Sequence, residues 1–457
     1  MIAKTFEKPK FLLCYLLRRP AMISNENLKN RDIYLNQLIA FQDKEPIKVV
    51  TGIRRSGKSK LLSLMVQHLL KEGKSPNQII KMHFEKMEFS LMTYQEVYEY
   101  VGGKIVKGKR AYLFFDEIQR IKGWENAINA LRVEFDTDIY VTGSNACLLS
   151  SEYSTYLAGR CVEIKMLPLS FKEFLDFHDF KVIESANAFG GTRLEIVDKN
   201  GGRYSLKEGF DAYLRFGGMP GIRDVGLDQE KAFLSLEGIY STVVLQDILE
   251  REKRRGQRTI TDPLLLKKIV LFLTDNIGSN VSFSSIAGTL VHEGLLKDRK
   301  RGTPSVHTIE SYVEALTETY LFYEIKRFDI KGKEYLKTLG KYYISDIGIR
   351  NYLLGLRDRD RGHILENIVY FELLRRGYDV AIGKIDSKEI DFIATNPQEK
   401  IYFQVSESLQ DPKTRERELS PLLQVEDNYE KIILSLDEEE EVFEGIKTWN
   451  LIDWLLK

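Results

Sequence analysis

The segment Gly52–Ser59, which reads GIRRSGKS, constrains the fold more than any other part of the sequence. It matches the pattern G-x-x-x-x-G-K-[ST], which binds phosphate when it lies between a β-strand and an α-helix. The β-prone run Ile47–Thr51 precedes it, and apolar residues at helical spacing follow it from Lys58 to Leu70. The sequence therefore predicts a strand, a phosphate-binding loop and a helix within an α/β domain that has a parallel sheet.

The side chains of this loop have distinct expected roles. Backbone N–H groups and the helix N-terminus attract phosphate oxygens. The Lys58 ammonium is expected to reach the terminal phosphates, and the Ser59 hydroxyl to bind Mg²⁺. Arg54 and Arg55 either contact phosphate or pair with a nearby Asp or Glu, and both alternatives stay open. The predicted nucleotide-binding residues are Gly52, Arg55, Ser56, Gly57, Lys58, Ser59 and Lys60.

A pair of acidic residues follows in the segment 111–118, which reads AYLFFDEI. Five consecutive apolar residues predict a buried strand, and Asp116 and Glu117 come at its C-terminal end. In a parallel sheet, ligands bind outside this end of the strands. We expect Asp116 to bind Mg²⁺ and Glu117 to orient and deprotonate the attacking water. The alternative is an acidic turn after a core strand.

Two further positions are candidates for contact with a γ-phosphate. A third predicted strand, Asp138–Gly143, ends at Ser144 and Asn145. We expect Asn145, or Ser144 after it, to sense the phosphate or to help place the water, and the alternative is a turn or a helix cap. Arg160 precedes another predicted strand. Three roles are open for it: contact with the γ-phosphate in cis, the same contact from a neighbouring subunit, or a surface salt bridge.

Five phrases of the sequence carry a resemblance to a known family: GIRRSGKSKLL, YLFFDEIQRIKGWENAINALR, VTGSNACLLSSEYSTYLAGR, LPLSFKEFL and LRFGGMP. Together they resemble one prokaryotic family, the AAA-type ATPases that carry a C-terminal domain of unknown function numbered 4143. The resemblance covers residues from about 30 to 455, and it implies a P-loop ATPase core with an added strand, a catalytic glutamate and a preference for adenine. It places the Walker A residues at Gly52, Gly57, Lys58 and Ser59, and the Walker B acids at Asp116 and Glu117.

The predicted fold class is α/β, with a P-loop NTPase sheet of the AAA/ASCE type, then a winged-helix region and a small α/β restriction-endonuclease-like domain. Five parts are expected along the chain. They are an N-terminal extension (1–30), expected to be flexible, an ATPase core (31–180), an insertion and helical linker (181–260), a winged-helix-like domain (261–350) and a nuclease-like domain (351–457).

The expected winged helix consists of two helices and a two-stranded wing that turns at Lys331-Gly332. Such modules often bind DNA through the second helix. Here that helix places Ile309, Tyr312, Val313, Leu316 and Tyr320 on one face, and its exposed face carries Glu310, Glu314 and Glu318, which repel phosphate. Arg299–Arg301 precede it and favour contact with a nucleic-acid backbone. The alternative is a module that packs against protein.

The C-terminal part has the order of a PD-(D/E)xK nuclease, in which two carboxylates bind Mg²⁺ and a lysine positions water. Glu366 is the predicted helical acid and Asp391 the strand acid. Where E-x-K is expected, the chain has Gln404-Val405-Ser406. The missing lysine and the amide weaken metal binding and water activation. We expect a degenerate, nuclease-like site, with an active nuclease or ordinary salt-bridge residues as alternatives.

The composition restricts the class of partner. Lys+Arg and Asp+Glu both total 67, so the net charge is zero and a global attraction to nucleic acid is absent. No apolar run is long enough to span a bilayer. Three cysteines, Cys14, Cys147 and Cys161, show no metal or disulfide spacing, which fits a cytoplasmic protein.

These residues predict an ATP hydrolase that uses ATP and Mg²⁺ and acts as a nucleotide-driven switch. Hydrolysis is expected to change the contact of the C-terminal module with DNA or a partner protein, and an oligomer is compatible with this function. The alternatives are an ATP-regulated DNA-processing nuclease and a protein-interaction module stabilised by nucleotide. Glu117 favours hydrolysis over mere binding, and Gln404 and Ser406 disfavour a nuclease.

Overall fold

The phosphate loop follows a strand of a five-stranded sheet. The structure, a computed structural model, describes residues 28–144, 159–186, 192–248, 260, 262–292, 304–336, 340–357 and 360–457. The strands are β1 Ile47–Thr51, β2 Ile79–His83, β3 Ala111–Asp116, β4 Thr137–Thr142 and β5 Cys161–Lys165. Their order is β2-β3-β4-β1-β5, and every pairing is parallel. The predicted α/β fold with a parallel P-loop sheet is confirmed.

Helices cover both faces of this sheet. They are α1 Asp32–Ala40, α2 Lys58–Lys71, α3 Tyr94–Gly102 and α4 Trp124–Glu134. Helix α5, Phe171–Phe177, follows β5 and packs in a separate apolar core. Along β3, Leu113 and Phe115 belong to one buried apolar layer, which α3 and α4 complete. Tyr112 and Phe114 belong to the opposite layer, which α1 and α2 complete. The continuous apolar run that precedes Asp116 is therefore explained, because a strand covered on both faces alternates between two cores.

The region after the core contains a small antiparallel sheet and then helices. Strands β6 Lys181–Ala186, β7 Thr192–Val197 and β8 Arg203–Ser205 pair consecutively. Helices α6 Leu206–Phe216, α7 Ile222–Val225 and α8 Gln229–Ser241 follow, and α8 continues into a π-helical turn, Thr242–Ile248. The Ser205 hydroxyl accepts a hydrogen bond from the Glu208 N–H, and the Glu208 carboxylate accepts one from the Ser205 N–H, so a capping box starts α6.

The described residues between 262 and 344 form three helices and five strands, three of which make a small antiparallel sheet. The elements are α9 Pro263–Asp275, β9 Asn280–Val281, α10 Phe283–His292, α11 Val306–Glu318, β10 Phe322–Ile325, β11 Arg327–Asp329, β12 Glu334–Tyr335 and β13 Gly340–Ile344. The sheet has the order β10-β13-β9. The predicted apolar face of α11 is buried, as is Tyr320, while Glu314 is exposed. The basic cluster 299–301 lies outside the described residues.

The predicted wing is correct in its turn but not in its sheet. Asp329 pairs with Glu334 around Lys331-Gly332, and Phe322 pairs with Ile344 further out. However, β11 also pairs in parallel with a strand that begins at Asp379. The tip of the hairpin therefore belongs to the C-terminal sheet and does not project as a free wing.

The C-terminal part contains an eight-stranded mixed sheet. Its elements are α12 Ile347–Leu354, α13 Arg361–Arg375, β14 Asp379–Ile385, β15 Lys388–Thr395, β16 Lys400–Val405, α14 Pro412–Leu423, β17 Glu430–Ser435, β18 Val442–Phe443, β19 Ile446–Asn450 and α15 Leu451–Leu456. The strand order is β12-β11-β14-β15-β16-β17-β19-β18. The structure thus has the sheet-rich C-terminal part that the sequence predicts.

Two glycines of the LRFGGMP phrase allow the core and the C-terminal part to approach closely. The Gly218 N–H donates to Asp346 Oδ2 at 2.6 Å. A Cβ at Gly218 would lie 2.4 Å from the carbonyl oxygen of Leu169, and one at Gly217 would lie 2.4 Å from Asp346 Oδ1. The same apolar core extends from Leu169 to Leu365 and beyond. The five-part division of the chain stays a prediction.

None of the helices in the described ranges is long and apolar enough to cross a membrane.

Candidate nucleotide-binding site

The phosphate loop depends on two glycines with left-handed backbone angles. Gly52 has φ 136°, and a Cβ there would lie 2.2 Å from the Met166 carbonyl oxygen. Gly57 has φ 105° and immediately precedes α2. Arg55 lies between them with φ 66° and is exposed. The loop therefore turns tightly against the strand that ends near Met166, and only glycine fits at its first position.

Lys58 begins α2 and is folded over the loop. Its Nζ donates to the carbonyl oxygens of Gly52 at 2.9 Å and of Ile53 at 3.0 Å, and the side chain is buried. Burial lowers the pKa of Lys58, whereas the charges of Glu117 and Asp116 act in the opposite direction. The structure thus brings the predicted phosphate-binding lysine within electrostatic reach of both predicted acids.

The remaining predicted loop residues lie around the start of α2. Ser59 and Lys60 are exposed on its first turn. Ser56 is buried, and its hydroxyl has no hydrogen-bond partner among the residues described. The loop thus contains the buried Ser56 hydroxyl, and the exposed side chains of Ser59 and Lys60 lie beside it on the first turn of α2.

The acid pair is held by a threonine that sequence reasoning did not single out. Thr142, the last residue of β4, donates from Oγ1 to Asp116 Oδ1 at 2.5 Å. The same oxygen accepts a hydrogen bond from the Glu117 N–H at 3.0 Å. The position of Thr142 at the end of the third predicted strand was an available signal. His83 Nδ1 lies 3.3 Å from the other oxygen of Asp116.

Glu117 has a left-handed backbone, with φ 58°. Its Oε2 accepts hydrogen bonds from Gln119 Nε2 at 2.6 Å and from Ser144 Oγ at 3.4 Å. Ser144, which the sequence analysis gave as the alternative to Asn145, therefore contacts Glu117, the predicted base. Asn145, the first choice, lies outside the described residues. A left-handed backbone is uncommon for a non-glycine residue because it raises the conformational energy. Such strained conformations often occur at functional sites.

The oxygen donors near the loop suit a hard divalent cation. Mg²⁺ prefers hydroxyl, carboxylate and phosphate oxygens, and its sites usually combine one or two carboxylates with the phosphates of a substrate. The orphaned Ser56 hydroxyl, the exposed Ser59 hydroxyl and the Asp116 carboxylate are donors of this kind. Within the described ranges, no group of three or more His, Cys, Asp or Glu is arranged to hold a metal ion by itself. A metal at this site would therefore depend on phosphate oxygens as well.

One of the three roles left open for Arg160 does not fit its position. Arg160 immediately precedes β5, and its carbonyl oxygen accepts a hydrogen bond from the Ile47 N–H at 2.8 Å. Ile47 begins β1, whereas the phosphate loop follows the end of β1, about 16 Å away along an extended strand. Arg160 is exposed at this amino-terminal edge, with Nη1 3.4 Å from Asn129 Oδ1. Contact with the γ-phosphate in cis is therefore excluded, and contact from a neighbouring subunit stays a prediction.

The buried Arg31 side chain hydrogen-bonds to the phosphate loop. No local sequence pattern indicated this role for Arg31. Its Nη1 donates to the Ser56 carbonyl oxygen at 3.2 Å and its Nη2 to the Leu167 carbonyl oxygen at 2.9 Å. Its Nε donates to Glu173 Oε1 at 2.6 Å. This buried guanidinium thus joins the phosphate loop to α5.

Arg54 pairs with two acids, which is one of the two roles left open for it. Its Nη1 donates to Asp247 Oδ1 and its Nη2 to Glu85 Oε1, each at 2.8 Å. Glu85 also accepts a hydrogen bond from Arg120 Nη2 at 2.8 Å. Asp247 lies in the π-helical turn after α8 and was not recognised in the sequence.

The three nuclease-like candidates meet in a separate cleft of about 1030 Å³. Glu366 lies on α13, Asp391 on β15 and Gln404 on β16, and all three are buried. The Val405 N–H donates to Asp391 Oδ2 at 2.8 Å, and the Asp391 N–H donates to Gln404 Oε1 at 3.3 Å. Burial and the charge of Glu366 raise the pKa of Asp391 well above its usual range.

The sequence did not indicate two charged residues that contact the predicted acids and amide. Gln404 Nε2 donates to Oε2 of Glu418 on α14 at 2.8 Å. Lys341 Nζ lies 3.7 Å from Glu366 Oε2 and 2.5 Å from Glu389 Oε1. Both are distant in sequence from the predicted motif, so spacing alone gave no signal for either one.

Comparisons with known proteins identify a domain of known type that includes the phosphate loop and the acid pair. A family model described as an AAA domain matches residues 44–175. A domain of unknown function, DUF8612, matches residues 207–360, so the predicted domain 4143 is not confirmed. An uncharacterized protein of Methanocaldococcus jannaschii, MJ1544, is 28% identical over 414 residues, which cover 89% of this chain and 82% of that protein.

Among solved structures, the Walker-type ATPase PABY2304 of Pyrococcus abyssi is 17% identical and covers 72% of this chain and 97% of its own, with a TM-score of 0.45. The Aeropyrum pernix ORC1 protein in complex with DNA is 13% identical, and the match covers 74% of this chain and 96% of the ORC1 chain, with a TM-score of 0.31.

A further relative is an uncharacterized protein of Haemophilus influenzae, which is 40% identical over 440 residues, or 96% of this chain and 99% of that protein. The chain contains an AAA domain with a parallel P-loop sheet at residues 44–175, and it belongs to the same family as this Haemophilus influenzae protein.

Proposed function

We propose that the protein is a Mg²⁺-dependent ATP hydrolase that acts as a nucleotide-driven switch, in which hydrolysis is coupled to the engagement of DNA or a partner protein. The observation that carries the proposal is the convergence of Lys58, Asp116 and Glu117. Lys58 begins α2, whereas Asp116 ends β3 and Glu117 follows it, and the charges of the two acids act on the lysine. Phosphate binding alone does not need the second acid.

Each residue has a defined role in this proposal. Lys58 binds the terminal phosphates and stabilises the charge that develops there. Glu117, oriented by Thr142 and Ser144, positions water and accepts its proton. Ser59 and Asp116 would hold Mg²⁺, which neutralises phosphate charge when it is bound. The catalytic role of Asn145 and the contact of Arg160 from a neighbouring subunit are part of the same proposal.

The C-terminal half is the proposed output of the switch. The three helices and the antiparallel sheet of residues 262–344 support a winged-helix module, whose partner is DNA or a protein. The exposed Glu314 on α11 disfavours phosphate at that face. The single apolar core that includes both Leu169 and Leu365 gives a mechanical connection to the ATPase core.

Phosphate release tests the proposal. The full-length wild type is compared with Lys58→Ala and with Lys71→Ala, which removes an exposed lysine from the other end of α2. Each protein is assayed in Mg²⁺ or EDTA, with and without duplex DNA. Lys58→Ala and EDTA are expected to lower turnover by about a hundredfold or more, whereas Lys71→Ala behaves as wild type. Turnover that survives Lys58→Ala would contradict the assignment.

A nuclease is the second candidate function, because the structure brings Glu366, Asp391 and Glu418 into one cleft. Lys341, which lies 3.7 Å from Glu366 Oε2, is the proposed substitute for the missing motif lysine. Cleavage of supercoiled plasmid in Mg²⁺ or Mn²⁺, lost in Asp391→Ala but kept in Lys58→Ala, would support this function. A plasmid left intact by the wild type under all these conditions would exclude it for this substrate.

A further inference from the structure

An ion pair connects the phosphate loop to the helical segment after the ATPase core. Arg54 Nη1 and Asp247 Oδ1 are 2.8 Å apart, although the residues are separated by 193 positions in the sequence. The Arg54 side chain is 20% exposed and that of Asp247 is 12% exposed. Water and salt therefore screen this pair less than an ordinary surface pair.

The backbone around Asp247 is unusual. Asp247 lies in the π-helical turn Thr242–Ile248, which directly continues α8. Such turns are rare and frequently occur at functional sites. Val243 and Ile248 of this turn belong to the same apolar core as Ile309 of α11, so a displacement of Asp247 would be transmitted away from the nucleotide site.

The Asp247 carboxylate is only partly satisfied. Its Oδ2 is buried and has no hydrogen-bond partner in the part of the chain that the structure describes. Burial raises the pKa of Asp247, Arg54 opposes this shift, and the charges of Glu117 and Lys58 also act on the carboxyl group. The side chain therefore lies within electrostatic reach of the phosphate-binding lysine. In charge and in oxygen chemistry, this carboxylate resembles a phosphate oxygen.

We propose that Asp247 competes with the terminal phosphate of the nucleotide for Arg54, and that breaking the Arg54–Asp247 pair reports a bound triphosphate to the π-helical segment. The inference rests on the proposed function, since it requires a triphosphate at residues 52–59. A phosphate beside Asp247 brings two anions together, and their repulsion favours separation of the acid from the loop. A diphosphate lacks the terminal group, so Arg54 keeps its contact with Asp247. Asp247 is thus a positioning residue.

Equilibrium affinities for a non-hydrolysable ATP analogue and for ADP test this competition in the full-length protein. The variants are Asp247→Asn, Arg54→Gln and their combination. Asp224→Asn is a control, because it removes an exposed carboxylate from α7 in the same region. Asp247→Asn is expected to raise the affinity ratio of the ATP analogue over ADP by about tenfold. This gain should disappear in the Arg54→Gln background, since the double-mutant cycle isolates the pair.

A gain of equal size for both nucleotides, no gain, or the same gain without Arg54 would overturn the proposal. Wild-type amide exchange provides a measurement that depends on no variant. The ATP analogue should accelerate exchange in residues 242–248 relative to ADP, and equal exchange with the two nucleotides would also overturn the proposal. Failure of the wild type to bind or hydrolyse ATP would instead remove the proposed function. Hydrolysis with an unchanged affinity ratio would remove only this inference.

Discussion

Thr142 Oγ1 donates a hydrogen bond to Asp116 Oδ1 at 2.5 Å. Thr142 Oγ1 also accepts a hydrogen bond from the Glu117 N–H. One hydroxyl at the end of β4 therefore orients both acids at the end of β3. This contact fixes the Asp116 carboxylate relative to the Glu117 backbone, while Gln119 and Ser144 hold the Glu117 carboxylate.

Replacement of Thr142 by valine keeps the shape of the side chain and removes the hydroxyl. We expect kcat for ATP hydrolysis to fall by about tenfold with little change in KM, because the acids lose their orientation and binding is retained. Steady-state phosphate release measures both parameters. Thr395→Val, at an exposed position on β15, is the control. A KM effect without a kcat effect would show that Thr142 contributes to binding instead.

The first loop glycine should be intolerant of a side chain. Gly52→Ala combines a left-handed φ with a Cβ 2.2 Å from the Met166 carbonyl oxygen, whereas Gly73→Ala, with φ 83°, meets nothing within 4 Å. We expect Gly73→Ala to cost about 1–2 kcal/mol of unfolding free energy and Gly52→Ala to cost more and to abolish nucleotide binding. Urea unfolding and nucleotide titration measure the two effects. Equal stability of the two variants would contradict the steric explanation.

The buried pair Lys48–Asp138 should contribute strongly to the stability of the ATPase core. Lys48 Nζ lies 2.5 Å from Asp138 Oδ1, and both side chains are inaccessible to solvent. Asp138→Ala leaves a buried ammonium without its partner, which is expected to cost about 3–5 kcal/mol. Asp136→Ala removes an acid that is 63% exposed and paired with Arg110, for which less than about 1 kcal/mol is expected. Urea denaturation that gives similar values for both would refute this interpretation.

The sequence predicts the ATPase core well because its signals are local. The strand Ile47–Thr51 has the predicted bounds, and the helix after the loop ends at Lys71, one residue beyond the predicted Leu70. Glycine positions, apolar runs and the acids after a strand each depend on short-range geometry, and the fold and the adjacency of Lys58 to the acids follow from them.

The contacts missed from the sequence are long-range. Asp247 is one polar residue on a helical pattern, and nothing near it indicates that it pairs with Arg54. Glu418 lines the second cleft from a helix, and Lys341 pairs with Glu366 from a strand, both outside the predicted motif. The Lys331-Gly332 turn was predictable from its composition, but the pairing of β11 with β14 was not, because a local pattern does not specify which sheet edge a strand joins.

The half-buried residue His178 should make the free energy of unfolding depend on pH in the acidic range. Burial and the charge of Arg223 lower the pKa of His178 to about 4, and its ring packs 4.5 Å from that of Phe174. The unfolded chain therefore binds more protons between about pH 6.5 and pH 4, so the free energy of unfolding falls as the pH falls through this range.

His178→Gln should remove about 2 kcal/mol of that pH dependence, a value reduced for partial exposure. Urea unfolding at pH 7 and pH 4.5 measures the difference, with His307→Gln as the control because its side chain is 89% exposed. The same pH slope in wild type and His178→Gln would show that the imidazole is protonated equally in both states.

The central claim is that the protein hydrolyses ATP and does not merely bind it. Single-turnover hydrolysis of γ-labelled ATP by Glu117→Gln tests this claim most directly. Glu99→Gln, an exposed position on α3, is the control. The account predicts that Glu117→Gln binds ATP within a few-fold of wild type and that its cleavage rate falls by about a hundredfold or more. Cleavage by Glu117→Gln at the wild-type rate would contradict it.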